Sequence, residues 1–177
     1  MMTGAERAKW SRAIHRAMKD DALPALRAAY AMLTPFVDPG CRTMYTDGRF
    51  RVGVCPQFFE GLTDRQAAFV VMHETMHNTQ RHHERRDAAG VSQMRWNIAA
   101  DLEINSMLAS GVARVRLDVE SPLSFGGGDL SWLPKGILLP HSGAFERCPP
   151  GLTAEGYLGY VRGASEQPAD ASGSSER

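Results

Sequence analysis

With 177 residues, 43% of them hydrophobic, the chain is long enough for one ordinary core, and its composition excludes collagen, a coiled coil or wholesale disorder. Lys and Arg number 20 against 20 Asp and Glu, so no basic field gathers phosphate backbones or anionic lipid, and nucleic acid is not an expected partner. The N-terminal MMTGAERAKWSRAIHRAMKDD is charged throughout and lacks the apolar centre of a signal peptide; no later run approaches the ~20 apolar residues that span a bilayer, so a cytoplasmic protein without membrane contact is expected.

Apolar residues recur at helical spacing from Glu6 to Met18 and from Leu23 to Leu33, with Pro24 suited to a first turn. PFVDPG then breaks the pattern. RTMYTDGRFRVGVCPQFF reads as a hairpin: Asp47-Gly48 is a favoured tight-turn pair, and Phe50, Val52 and Val54 alternate with Arg49, Arg51 and Gly53. Pro56 has no amide hydrogen and should end that strand or lie on a sheet edge. Thr63-Asp64-Arg65-Gln66 has capping-box spacing, which starts a helix just before Asp64; from there to about His83 nothing breaks it.

A second helix is expected from about Gln93 to Leu108, ended by Ser110-Gly111, followed by VARVRLDV as a short strand and a loop rich in Gly and Pro. LTAEGYLGYVRG closes the domain with a helix capped by Thr153, with Glu155 in its first turn. The polar SEQPADASGSSER is expected to be a disordered tail, which gives one domain over 1–164 and a tail over 165–177. Helices with a small hairpin-based sheet make the class α+β. Cys41, Cys55 and Cys148 are odd in number and widely spaced, as reduced structural thiols are.

The chemistry concentrates in VVMHETMHNTQRHHERR, which holds four of the six histidines. His73-Glu74-Thr75-Met76-His77 matches H-E-x-x-H. Residues four apart on a helix differ by about 40° and about 6 Å along the axis, so both imidazoles can reach one ion. Glu74, swung about 100° from His73, can reach the water such an ion activates and take its proton. Ala68, Phe69, Met72 and Met76 form an apolar opposite side ready to pack.

Two histidines bind zinc weakly, and catalytic sites use three protein ligands, so a third must come from elsewhere. His83 stands where the metzincin pattern has its last histidine, but Gln80 replaces the glycine at which that pattern turns. If the helix runs on, His82 and His83 lie more than about a dozen ångströms along the axis and out of reach, as part of a solvated helix end with Arg85 and Arg86. The second helix offers carboxylates instead. Asn97, Ala100, Asp101, Ile104 and Leu108 share one stripe, with Glu103 beside Ala99 and Ser106. An aspartate among apolar neighbours needs compensation, which a zinc ion or an arginine such as Arg85 would provide. Asn97 and Asn105, one turn either side, could orient that carboxylate or a ligand imidazole.

HETMHNTQRHHERR followed by WNIAADLEIN resembles the bacterial metallopeptidase domain often found upstream of a von Willebrand factor A-like domain, with H-E-x-x-H-x-x-x-x-H, an arginine shortly after, then W-N-x-A-x-D-x-x-I-N. TDGRFRVGVCPQFF, LPKGILLP and LTAEGYLGYV extend the resemblance over most of residues 30 to 161. It implies zinc ligands at His73, His77 and Asp101, the catalytic glutamate at Glu74, and supporting roles for His82, Arg85, Asn97 and Asn105. It also implies a minimal zincin-like fold of the gluzincin or aspzincin kind, with helices packed on a small, mostly antiparallel sheet whose edge strand, expected at Arg49 to Cys55, aligns an extended peptide.

The reading that follows is a zinc-dependent endopeptidase acting on peptide or protein substrates. The resemblance adds a von Willebrand factor A-like domain and an AAA+ ATPase of the MoxR type as partners. Tyr157, Tyr160 and His141 are available as oxyanion donors. Two alternatives stand beside it: a non-catalytic zinc-stabilised interaction module, favoured if His82 or His83 closes the coordination shell, and a metal-dependent hydrolase of a non-peptide amide.

Overall fold

The computed structural model describes residues 1–19, 26–109 and 132–161. Pro24, the expected 112–119 strand and the 165–177 tail lie outside them.

Helix α1 (Gly4–Met18) starts at Thr3, whose hydroxyl accepts the Glu6 amide hydrogen while the Glu6 carboxylate accepts that of Thr3. A short α2 (Leu26–Met32) follows. Three strands, β1 (Thr34–Val37), β2 (Met44–Thr46) and β3 (Arg51–Val54), form a sheet in the order β1-β3-β2. The expected hairpin is present as β2 against β3, antiparallel, with Asp47 Oδ1 accepting the amides of Arg49 and Arg51 across the turn.

The strand expected at the sheet edge is instead its centre. PFV forms β1 and pairs in parallel with β3, Pro35 opposite Val52, because an edge strand tolerates a residue with no amide hydrogen to donate. The sheet is therefore mixed, with one parallel and one antiparallel pair. Gly53 is required at its centre: a Cβ there would lie 2.3 Å from the Tyr45 ring on β2. Pro56 ends β3 by opening α3 (Pro56–Gly61).

Helix α4 (Asp64–Thr79) begins at the expected box, with Thr63 Oγ1 accepting the Gln66 amide and Gln66 Oε1 accepting that of Thr63. It does not continue to His83. Gln80 caps it, Arg81 turns the chain in the left-handed region at φ 56°, and α5 (His82–Ala89) sets off in a new direction. No glycine marks this turn; a non-glycine residue in that conformation costs on the order of 1–2 kcal/mol, which the contacts made by His82 and Arg85 beyond it offset.

After α5 come α6 (Gln93–Ala109), a 3₁₀ turn at Gly143–Phe145 and α7 (Ala154–Val161). The last starts as expected, Thr153 Oγ1 accepting the Gly156 amide. Two apolar cores result. In one, Trp10, Phe59, Phe69, Met72 and Met76 unite α1, α3, α4 and the sheet; in the other, Trp96, Ala99, Leu102, Tyr157 and Val161 unite α6 and α7. Ile104 and Leu108 carry the far end of α6 into the first core, which brings α6 across α4. No described helix is long and apolar enough to cross a membrane.

Candidate metal centre

Burial of Phe69, Met72 and Met76 against the first core fixes the rotation of α4 and turns His73 and His77 toward α6. Asp101 comes to meet them from α6. The Nε2 atoms of the two histidines are 3.0 Å apart, and Asp101 Oδ1 lies 3.4 Å from that of His73 and 3.2 Å from that of His77. A tetrahedral ion with bonds of about 2.0–2.1 Å needs its ligand atoms about 3.3 Å apart, so this triangle has the right size. Among the described residues, these three are the group of His, Cys, Asp and Glu whose ligand atoms converge on one point.

Their other nitrogens set which lone pairs face the centre of the triangle. His73 Nδ1 is 2.9 Å from Asn105 Oδ1, and Asn105 Nδ2 donates to the Leu138 carbonyl at 2.9 Å. The amide orientation is thereby set, and its oxygen can only accept, so the His73 proton belongs on Nδ1. His77 Nδ1 is 2.9 Å from His82 Nδ1, and His82 Nε2 is 3.1 Å from Glu103 Oε2. With His82 neutral and donating to the carboxylate, its Nδ1 accepts the His77 Nδ1 proton. Both Nε2 atoms then present lone pairs to each other and to a carboxylate oxygen, an arrangement that a metal ion, or a proton on one imidazole, would stabilise.

The protein's own groups show the same pull toward positive charge. Burial works against charge at His73, but Asp101 outweighs it and raises the histidine's pKa; at His77 burial dominates and lowers it. Burial also opposes ionisation of Asp101, yet the two imidazoles hold its carboxyl well below the usual range. Glu74, 5% exposed, is pushed up to about 7 by burial, with His73 opposing the shift and Asp101 reinforcing it. No hydrogen bond or ion pair among the described residues claims its carboxylate.

The other expected residues fall differently. His82 is not solvated but 2% exposed, because the turn at Arg81 folds it back beneath His77. Its Nε2 meets Glu103 and its Nδ1 meets the outer nitrogen of His77, so neither joins the group of converging ligand atoms. His83 packs its ring on Gly48 of the β2–β3 turn, where φ is 76° and a Cβ would lie 2.6 Å from the imidazole. Arg85 does not pair with Asp101; its guanidinium bridges Glu103 and Glu155. Asn97 stands exposed, since α4 crosses α6 near Ile104 and Leu108, on the other side of Asp101.

Glu103 is buried and serves as acceptor for His82, Arg85 and the Ala154 amide. Its place on the Ala99–Ser106 stripe, the one that meets α7, was the available signal for that role. Tyr157 donates to the Pro149 carbonyl within the second core, and Tyr160 and His141 are exposed, which leaves none of them engaged with the triad.

Comparison with known families gives one match: residues 5–115 fit the family described as "Putative metallopeptidase domain". The chain belongs to that family. The matched span runs from the second residue of α1 through α6 and contains every residue of the triad. Membership supports a metal-dependent peptidase acting on peptide or protein substrates, and a metal ion as its cofactor. No curated protein and no solved structure matches the chain.

Proposed function

We propose that the protein is a zinc-dependent endopeptidase of minimal zincin type, with His73, His77 and Asp101 as metal ligands and Glu74 as general base. The observation that carries this reading is the triangle of Nε2, Nε2 and Oδ1 atoms with edges of 3.0, 3.2 and 3.4 Å beside a buried, uncommitted Glu74. Two nitrogens and one carboxylate oxygen form a zinc donor set that leaves one coordination position open, as catalysis requires.

When bound, zinc supplies Lewis acidity that polarises a scissile carbonyl and acidifies water. Glu74 takes a proton from the attacking water and passes it to the leaving amine, and its burial favours holding that proton between the two transfers. Asn105 keeps the His73 proton on Nδ1 and so its Nε2 available. A von Willebrand factor A-like domain, an AAA+ ATPase of the MoxR type and a cytoplasmic setting belong to the same proposal, on the family resemblance.

The test is zinc content and casein cleavage for wild type, Glu74→Gln and Asp101→Ala. Glu74→Gln is expected to keep stoichiometric zinc and lose cleavage by about 10²–10⁴-fold. Asp101→Ala is expected to lose zinc. Full cleavage by Glu74→Gln would overturn the mechanism.

A further inference from the structure

We propose that His82 and Glu103 are positioning residues that fix the tautomer and orientation of His77, and that α7, beyond the matched family span, is part of the metal centre because it holds Glu103 in place. The inference rests on the zinc reading above and goes beyond it by assigning how one ligand is prepared.

Four observations carry it. His77 Nδ1, His82 Nδ1, His82 Nε2 and Glu103 Oε2 form an unbroken line with steps of 2.9 and 3.1 Å. His82 is 2% exposed and Glu103 6%, so water does not compete for either nitrogen. The line has a direction: it ends on a carboxylate, which only accepts, so each proton points toward Glu103 and the lone pair emerges at His77 Nε2, facing His73 and Asp101. Reversing one proton would put N–H where the metal must bind.

Glu103 is in turn fixed from two sides. Its Oε2 accepts the Ala154 amide at 2.7 Å, at the first residue of α7, and the Arg85 Nη2 at 3.0 Å, and Arg85 extends to Glu155 on the same helix at 2.5 Å. These donors satisfy a carboxylate whose burial would otherwise oppose its charge. The Tyr157 and Val161 side chains seat α7 on α6 in the second core. The two ligand histidines are thus prepared in unlike ways. His73 relies on a single asparagine held by the 132–141 segment, whereas His77 relies on a chain of three groups that draws in α5, α6 and α7.

Long-range proton–nitrogen NMR of the histidines in zinc-loaded wild type reads the tautomers directly. The proposal expects His82 protonated on Nε2 and bare on Nδ1, with His77 protonated on Nδ1; a proton on His82 Nδ1 overturns it. Zinc affinity by chelator competition gives the second readout. His82→Leu removes the acceptor and should weaken zinc binding by about 10–100-fold, whereas His82→Asn, whose Oδ1 can occupy the place of Nδ1, should recover most of that loss.

Equal affinity of the Leu and Asn variants overturns the relay while leaving the zinc reading intact, and failure of wild type to bind zinc sinks both. Should His82→Leu not fold, as judged by circular dichroism, the wild-type spectrum and His82→Asn still decide. The asparagine variant must then bind zinc within a few-fold of wild type.

Discussion

The α1–α4 face and the α4–α6 junction are both helix contacts, yet they are held by different means. The first is apolar at its centre, with Trp10, Ala13 and Ala17 facing the buried side of α4, and its ion pair, Arg12 with Asp64, lies at the exposed rim. The junction is polar at its centre: His73, His77 and Asp101 meet there, with His82, Glu103 and Arg85 behind them. Apolar burial stabilises regardless of metal or pH. The junction depends on charge and, on the proposed reading, on a cation among its three lone-pair donors. On that reading, α4 keeps a rigid scaffold on one side while the seam on the other answers to metal occupancy.

The contrast can be broken most forcefully in the scaffold. Phe59→Ala empties a fully buried position in the first core and should cost about 3–5 kcal/mol in urea denaturation, while the folded fraction keeps its zinc affinity within twofold. A matching loss of zinc affinity would show that the two contacts are not separable.

Chelation probes the other side. Zinc at a hundred times its Kd stabilises by about 2.7 kcal/mol, so its removal should lower stability by that amount. Hydrogen exchange should then quicken along α5, α6 and the end of α4 while α1 stays protected. A uniform change across the chain would contradict the division.

The smallest effect concerns Glu155, whose pKa is held near 2 by Arg85 against an ordinary value of 4.5. A depressed carboxyl contributes stability that is present above 4.5 and is lost as pH falls from there through 2. Glu155→Gln should lower the melting temperature by about 1–3 °C at pH 7, a difference that shrinks toward zero between pH 4.5 and 2. A gap that stays constant with pH would remove Glu155 from the junction's electrostatics.

Much of this was legible in the sequence where local chemistry decides. The capping box at Thr63, the H-E-x-x-H spacing and the stripe bearing Asp101 depend on helical geometry alone, and the structure has each of them. Periodicity alone starts the first helix at Glu6, and the structure starts it two residues earlier, at a capping box between Thr3 and Glu6. What long-range contact decides was not legible. Arg81 turns left-handed without glycine because His82 and Arg85 gain partners on α6 and α7, so the helix reads as continuing to His83. Pro35 disguises β1, and with β1 missing β3 reads as an edge strand. Glu103 projects onto a stripe of small residues, and its task comes from His82 and Arg85 on α5 and the Ala154 amide of α7, none of them near it in sequence.

The central claim is that one ion joins α4 to α6 through two imidazoles and a carboxylate, with a position left to solvent. X-ray absorption of the zinc-loaded protein tests it most directly. One zinc per chain with two histidine nitrogens, one carboxylate oxygen and one light atom from solvent is the predicted result. A third histidine in the shell, a cysteine sulfur, or four protein ligands with none from solvent would contradict it.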